Sequence, residues 1–228
     1  MSCERESVPD WEHVLQLGLF WDWQKAAGAR SGGLEVELLW FERKFRFDLP
    51  EEMFAVVLER LRGTPSRLEE KVRDLSRECL TRRDGDKWSI QEHVGHLLDL
   101  DELHDARLDD YLAGAEVLRP ADVKNRKTHQ ANHNQQKIED LLREFRRQRM
   151  AFVRRLEEWD RRLVGRTAMH PRLQQPMRVI DMAYFVAEHD DHHLTRMSEL
   201  AKQFSGSAAG SAPRGTWFPG QSSGSATP

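Results

Sequence analysis

The predicted fold follows from residues 182–200, which read MAYFVAEHDDHHLTRMSEL. Apolar side chains recur here at the spacing of one helical face, with Phe185 and Leu200 in the same stripe. His189 and His193 share that stripe, and Cβ atoms four residues apart on a helix are roughly 5–6 Å apart. Two neutral imidazoles at that separation are able to bind one divalent metal ion. His192 points nearer the edge of the stripe, but an i,i+3 pair with His189 also fits the pattern.

Three more amphipathic segments precede this helix, and together the four predict an all-α protein, a four-helix bundle. They cover about residues 50–80, 89–112, 135–163 and 177–204, the last beginning just after Pro176. Pro65 lies inside the first segment and predicts a kink or a break there. A strand is indicated only weakly, at residues 34–39.

The connection between the second and third segments predicts an unusual helix order. It runs from Ala113 to Asn134, about 20 residues, which is long for two neighbouring antiparallel helices. A connection of this length can cross the bundle and leave the two helices parallel. We therefore predict a long crossover between helices 2 and 3.

Composition divides the chain into three parts and excludes several functions. We expect an N-terminal appendage over residues 1–33, the bundle over 34–204 and a disordered Gly/Ser/Pro-rich tail over 205–228.

The sequence predicts a cytoplasmic protein with neither nucleic-acid nor membrane partners, because its net charge is −3 and it shows neither a long apolar run nor a signal peptide. The arginines of the third helix alternate with acidic residues, as on a solvated, ion-paired face. The two cysteines, Cys3 and Cys79, predict no disulfide framework.

A third metal ligand is expected from the second helix, whose start is marked by a capping box formed by Ser89 and Glu92. His93, His96 and His104 all lie along the edge of its apolar stripe. Helical periodicity alone leaves each of these three as a candidate.

Several of these residues give the chain a resemblance to the DinB-like family of metal-binding four-helix bundles. The matching pieces are Trp88-Ser89 at the start of helix 2, His96-Leu97 eight residues after that tryptophan, and residues 188–193 on the last helix. The resemblance implies that the ligands are His96, His189 and His193, with zinc or nickel as the expected metal. It also implies a long crossover and frequent homodimers.

Family members with assigned activities imply a metal-dependent thiol S-transferase that acts on a small electrophilic molecule. The thiol would be of low molecular weight, like bacillithiol or mycothiol. A metal-dependent hydrolase and a non-catalytic metal-binding bundle are the alternatives. Asp190 is the carboxylate nearest the histidine pair on the helical wheel, and we expect it to be solvated or to support a ligand rather than to act as a catalytic base.

Arg196 lies one turn beyond His193 on the inward stripe. A buried arginine needs an anionic partner. We therefore predict that Arg196 binds a carboxylate of the substrate or thiol cofactor. The alternative is an ion pair with an acidic residue of a neighbouring helix.

Overall fold

The structure, a computed structural model, describes residues 40–208. A short 3-10 helix, Trp40–Glu42, belongs to a first unit, and the helical unit begins at Arg43. The predicted appendage over 1–33, the weak strand at 34–39 and residues 209–228 of the predicted tail lie outside the described residues. The three domain boundaries therefore stay predictions.

Four long helices form the bundle predicted from the sequence. They are α1 (Phe54–Val72), α3 (Ile90–Ala113), α5 (Ile138–Glu157) and α7 (Val179–Ala208). Three short helices, α2 (Arg77–Thr81), α4 (Arg126–Gln130) and α6 (Arg161–Val164), lie in the connections, with 3-10 turns at Glu51–Met53 and His133–Gln135. Strands β1 (Thr167–His170) and β2 (Gln175–Arg178) form an antiparallel hairpin just before α7.

Each long helix packs against two others: α1 and α3 both pack against α5 and α7. The consecutive helices α1 and α3 therefore occupy opposite corners of the bundle. The α3–α7 interface places the middle of α7 against the first turns of α3, as the contact between His93 and His193 shows.

The second and third long helices of the bundle, α3 and α5, are parallel, which confirms the predicted long crossover between them. Arg149 of α5 pairs with Asp101 of α3, and Arg155 further along α5 pairs with Asp105 further along α3. Residue numbers rise together along both helices, so α3 and α5 run in the same direction. The connection is fixed to the hairpin by a backbone bond from Leu118 N–H to the carbonyl of Met169.

The first helix ends differently from the prediction. The break predicted at Pro65 is wrong, because α1 continues through this buried proline to Val72. Packing of α1 against both α5 and α7 outweighs the local cost of the proline. The chain leaves the helix at Arg73 instead, and α2 begins after Ser76, whose side chain accepts a hydrogen bond from Cys79 N–H.

The hairpin is a second difference. Met177, predicted as the start of the last helix, lies in β2 together with the preceding Pro176, and α7 begins at Val179. Upstream, α5 ends at Glu157 rather than near residue 163. At its far end, α7 runs to Ala208, four residues beyond the predicted end.

The hydrophobic core lies between the four long helices. Fully buried apolar side chains come from all four long helices: Leu68, Ile90, Val94, Leu97, Phe145 and Met197. In residues 40–208, no helix is both long and apolar enough to cross a membrane.

Candidate metal centre

Three histidines converge between α3 and α7. His96 of α3 and His189 and His193 of α7 are all buried, and one nitrogen of each lies within 4.8 Å of the others. The Nε2 atoms of His189 and His193 are 3.0 Å apart. The α3–α7 packing thus brings together the set that the family resemblance implied.

A hydrogen-bond chain fixes which nitrogen of His96 faces the cluster. The hydroxyl of Thr128, on α4 of the crossover, donates to Asp99 Oδ2 at 2.9 Å. Thr128 Oγ1 is therefore left to accept from His96 Nδ1, 3.1 Å away. A neutral His96 with its proton on Nδ1 presents the lone pair of Nε2, as metal-binding histidines with a supporting acceptor do.

Asp99 also fastens the crossover to α3. Its Oδ2 accepts from His133 Nε2 at 2.9 Å, and Lys127 Nζ lies 3.8 Å from Oδ1. Although burial raises the Asp99 pKa, the hydrogen bonds from His133 and Thr128 outweigh it and lower that pKa overall. Asp99 is therefore an ionised acceptor that holds Thr128, and through it His96, in place.

His93 supports the cluster from its edge. Its Nδ1 lies 2.8 Å from Nδ1 of His193, so one of the two rings donates and the other accepts. When His193 donates, its Nε2 lone pair faces His189. His104 and His192 are not part of the cluster, and His192 is half-buried.

Burial keeps these imidazoles neutral, the form in which they bind metals. It lowers the pKa of His96 to about 4 and that of His93 to about 3. For His189 and His193, burial likewise holds the pKa well below its ordinary value. No proton has to leave a charged ring before an ion binds at neutral pH.

The donor set fits a divalent metal ion. Tetrahedral zinc with bonds of roughly 2.0–2.1 Å to nitrogen places its ligand atoms roughly 3.3 Å apart. The 3.0 Å between the α7 nitrogens is close to that spacing, and the third nitrogen lies within 4.8 Å. Three protein nitrogens leave a fourth position for an exogenous ligand, as in catalytic rather than structural zinc sites.

A buried charge network that was not predicted from the sequence lies beside the histidines. Arg149 of α5 is fully buried and pairs with Asp101 of α3 and Asp190 of α7. Thr64 of α1 donates to Asp190 Oδ2 at 2.8 Å, so each long helix contributes one residue. A signal existed, since Arg149 falls between Phe145 and Phe152 on the inward stripe of α5.

Asp190 follows His189 directly. We expected this carboxylate either to be solvated or to support a ligand. It is not solvated, because only 1% of the residue is exposed. Its contacts with Arg149 and Thr64 make it a support of the helix turn that carries His189.

Arg196 lies half-buried, and its Nη1 is 2.5 Å from Glu199 Oε2 on the same helix. Glu199 is therefore not the acidic residue of a neighbouring helix that the alternative prediction expected. The binding of a ligand carboxylate by Arg196 stays a prediction.

The fold and the histidine cluster together define a four-helix bundle able to hold a divalent metal ion. The sequence model of the DinB superfamily matches residues 60–197, more than half of the chain, so the protein belongs to the DinB superfamily. A similar solved structure is that of YfiT from Bacillus subtilis, described as a probable metal-dependent hydrolase with an unusual four-helix bundle topology. The two share 18% sequence identity with a TM-score of 0.63, over 72% of this chain and 94% of YfiT. No curated protein matches the chain.

Proposed function

We propose that this protein is a divalent-metal-dependent enzyme that transfers a low-molecular-weight thiol to a small electrophilic substrate. The observation that carries the proposal is the buried set of His96, His189 and His193, with one nitrogen of each within 4.8 Å of the others. Zinc and nickel both suit three imidazoles. A bound divalent ion would supply a lowered pKa to a coordinated thiol, which is then a nucleophile at neutral pH.

The residues of the chain have three tasks in this proposal. His96, His189 and His193 hold the ion, and burial keeps all three neutral. Thr128 and Asp99 orient the His96 ring by the hydrogen bonds described above. Burial of the cluster would keep bulk water away from a bound thiolate, which would favour attack on the electrophile over hydrolysis.

Thiol chemistry is preferred to hydrolysis because a hydrolase benefits from a carboxylate that takes a proton from water. The carboxylates next to the ligands already have partners within residues 40–208. Asp99 accepts from Thr128 and His133, Asp190 accepts from Arg149 and Thr64, and Glu188 pairs with Arg43 and Arg60.

Metal-dependent hydrolysis is the second candidate, favoured by the description of YfiT. Small molecules are the proposed substrates in both cases. A homodimer without nucleic-acid or membrane partners stays a prediction.

The test measures product formation by the full chain loaded with zinc or nickel. The electrophile is 1-chloro-2,4-dinitrobenzene with cysteine as the thiol, and p-nitrophenyl acetate reports hydrolysis. The proposal expects conjugation that needs both metal and thiol and is lost in His189→Ala. Hydrolysis without thiol would support the second candidate, and a metal-loaded protein without either activity would support a non-catalytic bundle.

A further inference from the structure

A second polar cluster lies between α3 and the β1–β2 hairpin. We call it the arginine–histidine cluster, formed by His104 and Arg107 of α3, His170 at the end of β1, and Arg172 in the turn that follows. Burial is the main cause of the lowered pKa values of His104, His170 and Arg107. Arg107 lowers the pKa of both histidines further, and Arg172 lowers those of Arg107 and His170. None of the four is acidic.

Arg107 is a buried cation whose direct partners are neutral. It is only 2% exposed, and its Nε and Nη2 atoms donate to the carbonyl oxygen of Arg119 at 3.1 and 3.0 Å. Across residues 40–208, none of its hydrogen bonds goes to a carboxylate. Burial lowers its pKa to about 10, the direction expected of a desolvated guanidinium. Tyr111 and the carboxylate of Asp110, which pairs with Arg119, offset this lowering only in part. Buried arginines are ordinarily paired with an anion, as Arg149 is in this same bundle.

His170 presents a second donor to the same place. Its Nδ1 accepts a hydrogen bond from Leu173 N–H at 3.1 Å, and burial lowers its pKa to about 3. The neutral ring therefore carries its proton on Nε2. That atom lies 3.5 Å from Nη1 of Arg107, and neither N–H group can accept from the other.

His104 adds a third polar atom. It lies one turn before Arg107 on α3 and is 4% exposed, and its Nδ1 is buried without a hydrogen-bond partner among the described residues. A buried polar atom of this kind carries a desolvation cost that a bound polar ligand would remove.

The cluster borders the candidate metal centre along α7. The ring of Phe185, one turn before His189, lies 5.4 Å from that of His170. Arg172 Cζ is 5.8 Å from the same ring, and this half-buried arginine places the edge of the cluster at the surface. Phe185 therefore connects the cluster to the helix turn that carries His189.

We propose that the arginine–histidine cluster binds the carboxylate of a reactant, with Arg107 Nη1 and His170 Nε2 donating to its oxygens. A carboxylate accepts from two such donors at once, and its charge offsets that of the buried guanidinium. This assignment rests on the proposed function only in placing the carboxylate on one of the two reactants. It differs from the prediction for Arg196, which has Glu199 as a partner.

The test uses calorimetric titration of the full chain with propionate, and with propionamide as the uncharged control. Propionate is expected to bind with and without added zinc, and propionamide is not. Arg107→Gln should weaken propionate binding at least roughly tenfold, the effect of losing a charge-assisted hydrogen bond. Arg172→Gln, at the half-exposed turn, should weaken it several-fold without disturbing the buried bundle.

Arg147→Gln, on the exposed face of α5, is the matched control and should leave propionate binding unchanged. Propionate binding that needs zinc, or that survives both Arg107→Gln and Arg172→Gln, would overturn the assignment. Loss of binding in Arg196→Gln, with binding kept in Arg107→Gln, would also overturn it and is the result that the Arg196 prediction expects. Because the titration needs neither metal nor turnover, failure of the proposed transferase activity would leave its result standing.

Competition assays then identify the reactant that carries the carboxylate. In the conjugation reaction, propionate should compete with either the thiol or the electrophile. The reactant that it excludes is the one that carries the group, and competition with neither would contradict the assignment.

Discussion

Replacing Arg149 with methionine should strongly destabilise the bundle. Arg149 Nε and Nη2 lie 3.0 and 2.7 Å from the Asp101 oxygens, and Nη2 is 3.0 Å from Asp190 Oδ1. All three side chains are about 1% exposed. Removing the cation leaves two buried carboxylates without it, and breaking a buried pair in this way costs about 3–5 kcal/mol.

The assay is urea denaturation at pH 7, followed by circular dichroism. The triple variant Arg149→Met/Asp101→Asn/Asp190→Asn should recover a large part of the lost free energy of unfolding, because no charge is then left buried. Arg147→Gln, on the exposed side of the same helix, should show no measurable change. A loss below about 1 kcal/mol in Arg149→Met would refute the reasoning, since it would mean that the network is solvated.

Three further predictions concern the same helices. Burial raises the pKa of Asp101 from 3.8 to about 6, so the folded state holds this proton more tightly than the unfolded state. The unfolding free energy of the wild type minus that of Asp101→Asn should therefore fall as the pH rises from about 4 to 6, and a difference that rises would contradict the assignment. A Cβ at Gly95 would lie 2.2 Å from His133 Cγ, so Gly95→Ala should displace His133 and cost about 1–3 kcal/mol despite the better helix propensity of alanine, as thermal denaturation would show. Ser89→Ala removes a helix cap and a 2.8 Å bond to Asn134 Oδ1, and should cost about 1–2 kcal/mol in urea denaturation; an unchanged midpoint would argue against both contacts.

The local features of the site could be predicted from the sequence. The spacing of His189 and His193 depends only on helix periodicity, and the capping box of Ser89 and Glu92 is present as predicted. The length of the crossover allowed parallel helices without requiring them, because chain length only limits the topologies that a connection permits, and the family resemblance also implied the long crossover.

Features that depend on contacts with residues far away in the sequence could not be predicted from helical periodicity. The choice of His96 over His93 and His104 depends on the rotation of α3 against α7, and only the family resemblance supplied it. Arg149 is stabilised by partners on two other helices, which periodicity along α5 cannot reveal.

The hairpin was missed for a related reason. Its strands are only four residues long, and one contains Pro176. Pairing between the two strands and the bridge from Val117 of the crossover to Met169 hold it in place. Neither contact leaves a pattern within the strands themselves.

Metal stoichiometry, measured by elemental analysis of the purified full chain and of single variants, tests the central claim most directly. We expect one divalent ion per wild-type chain, with a large loss in His96→Ala, His189→Ala and His193→Ala. His192→Ala is the matched control and should keep its ion. Equal metal content in the wild type and in His189→Ala, at equal helical content, would contradict the claim that these three histidines form a metal centre.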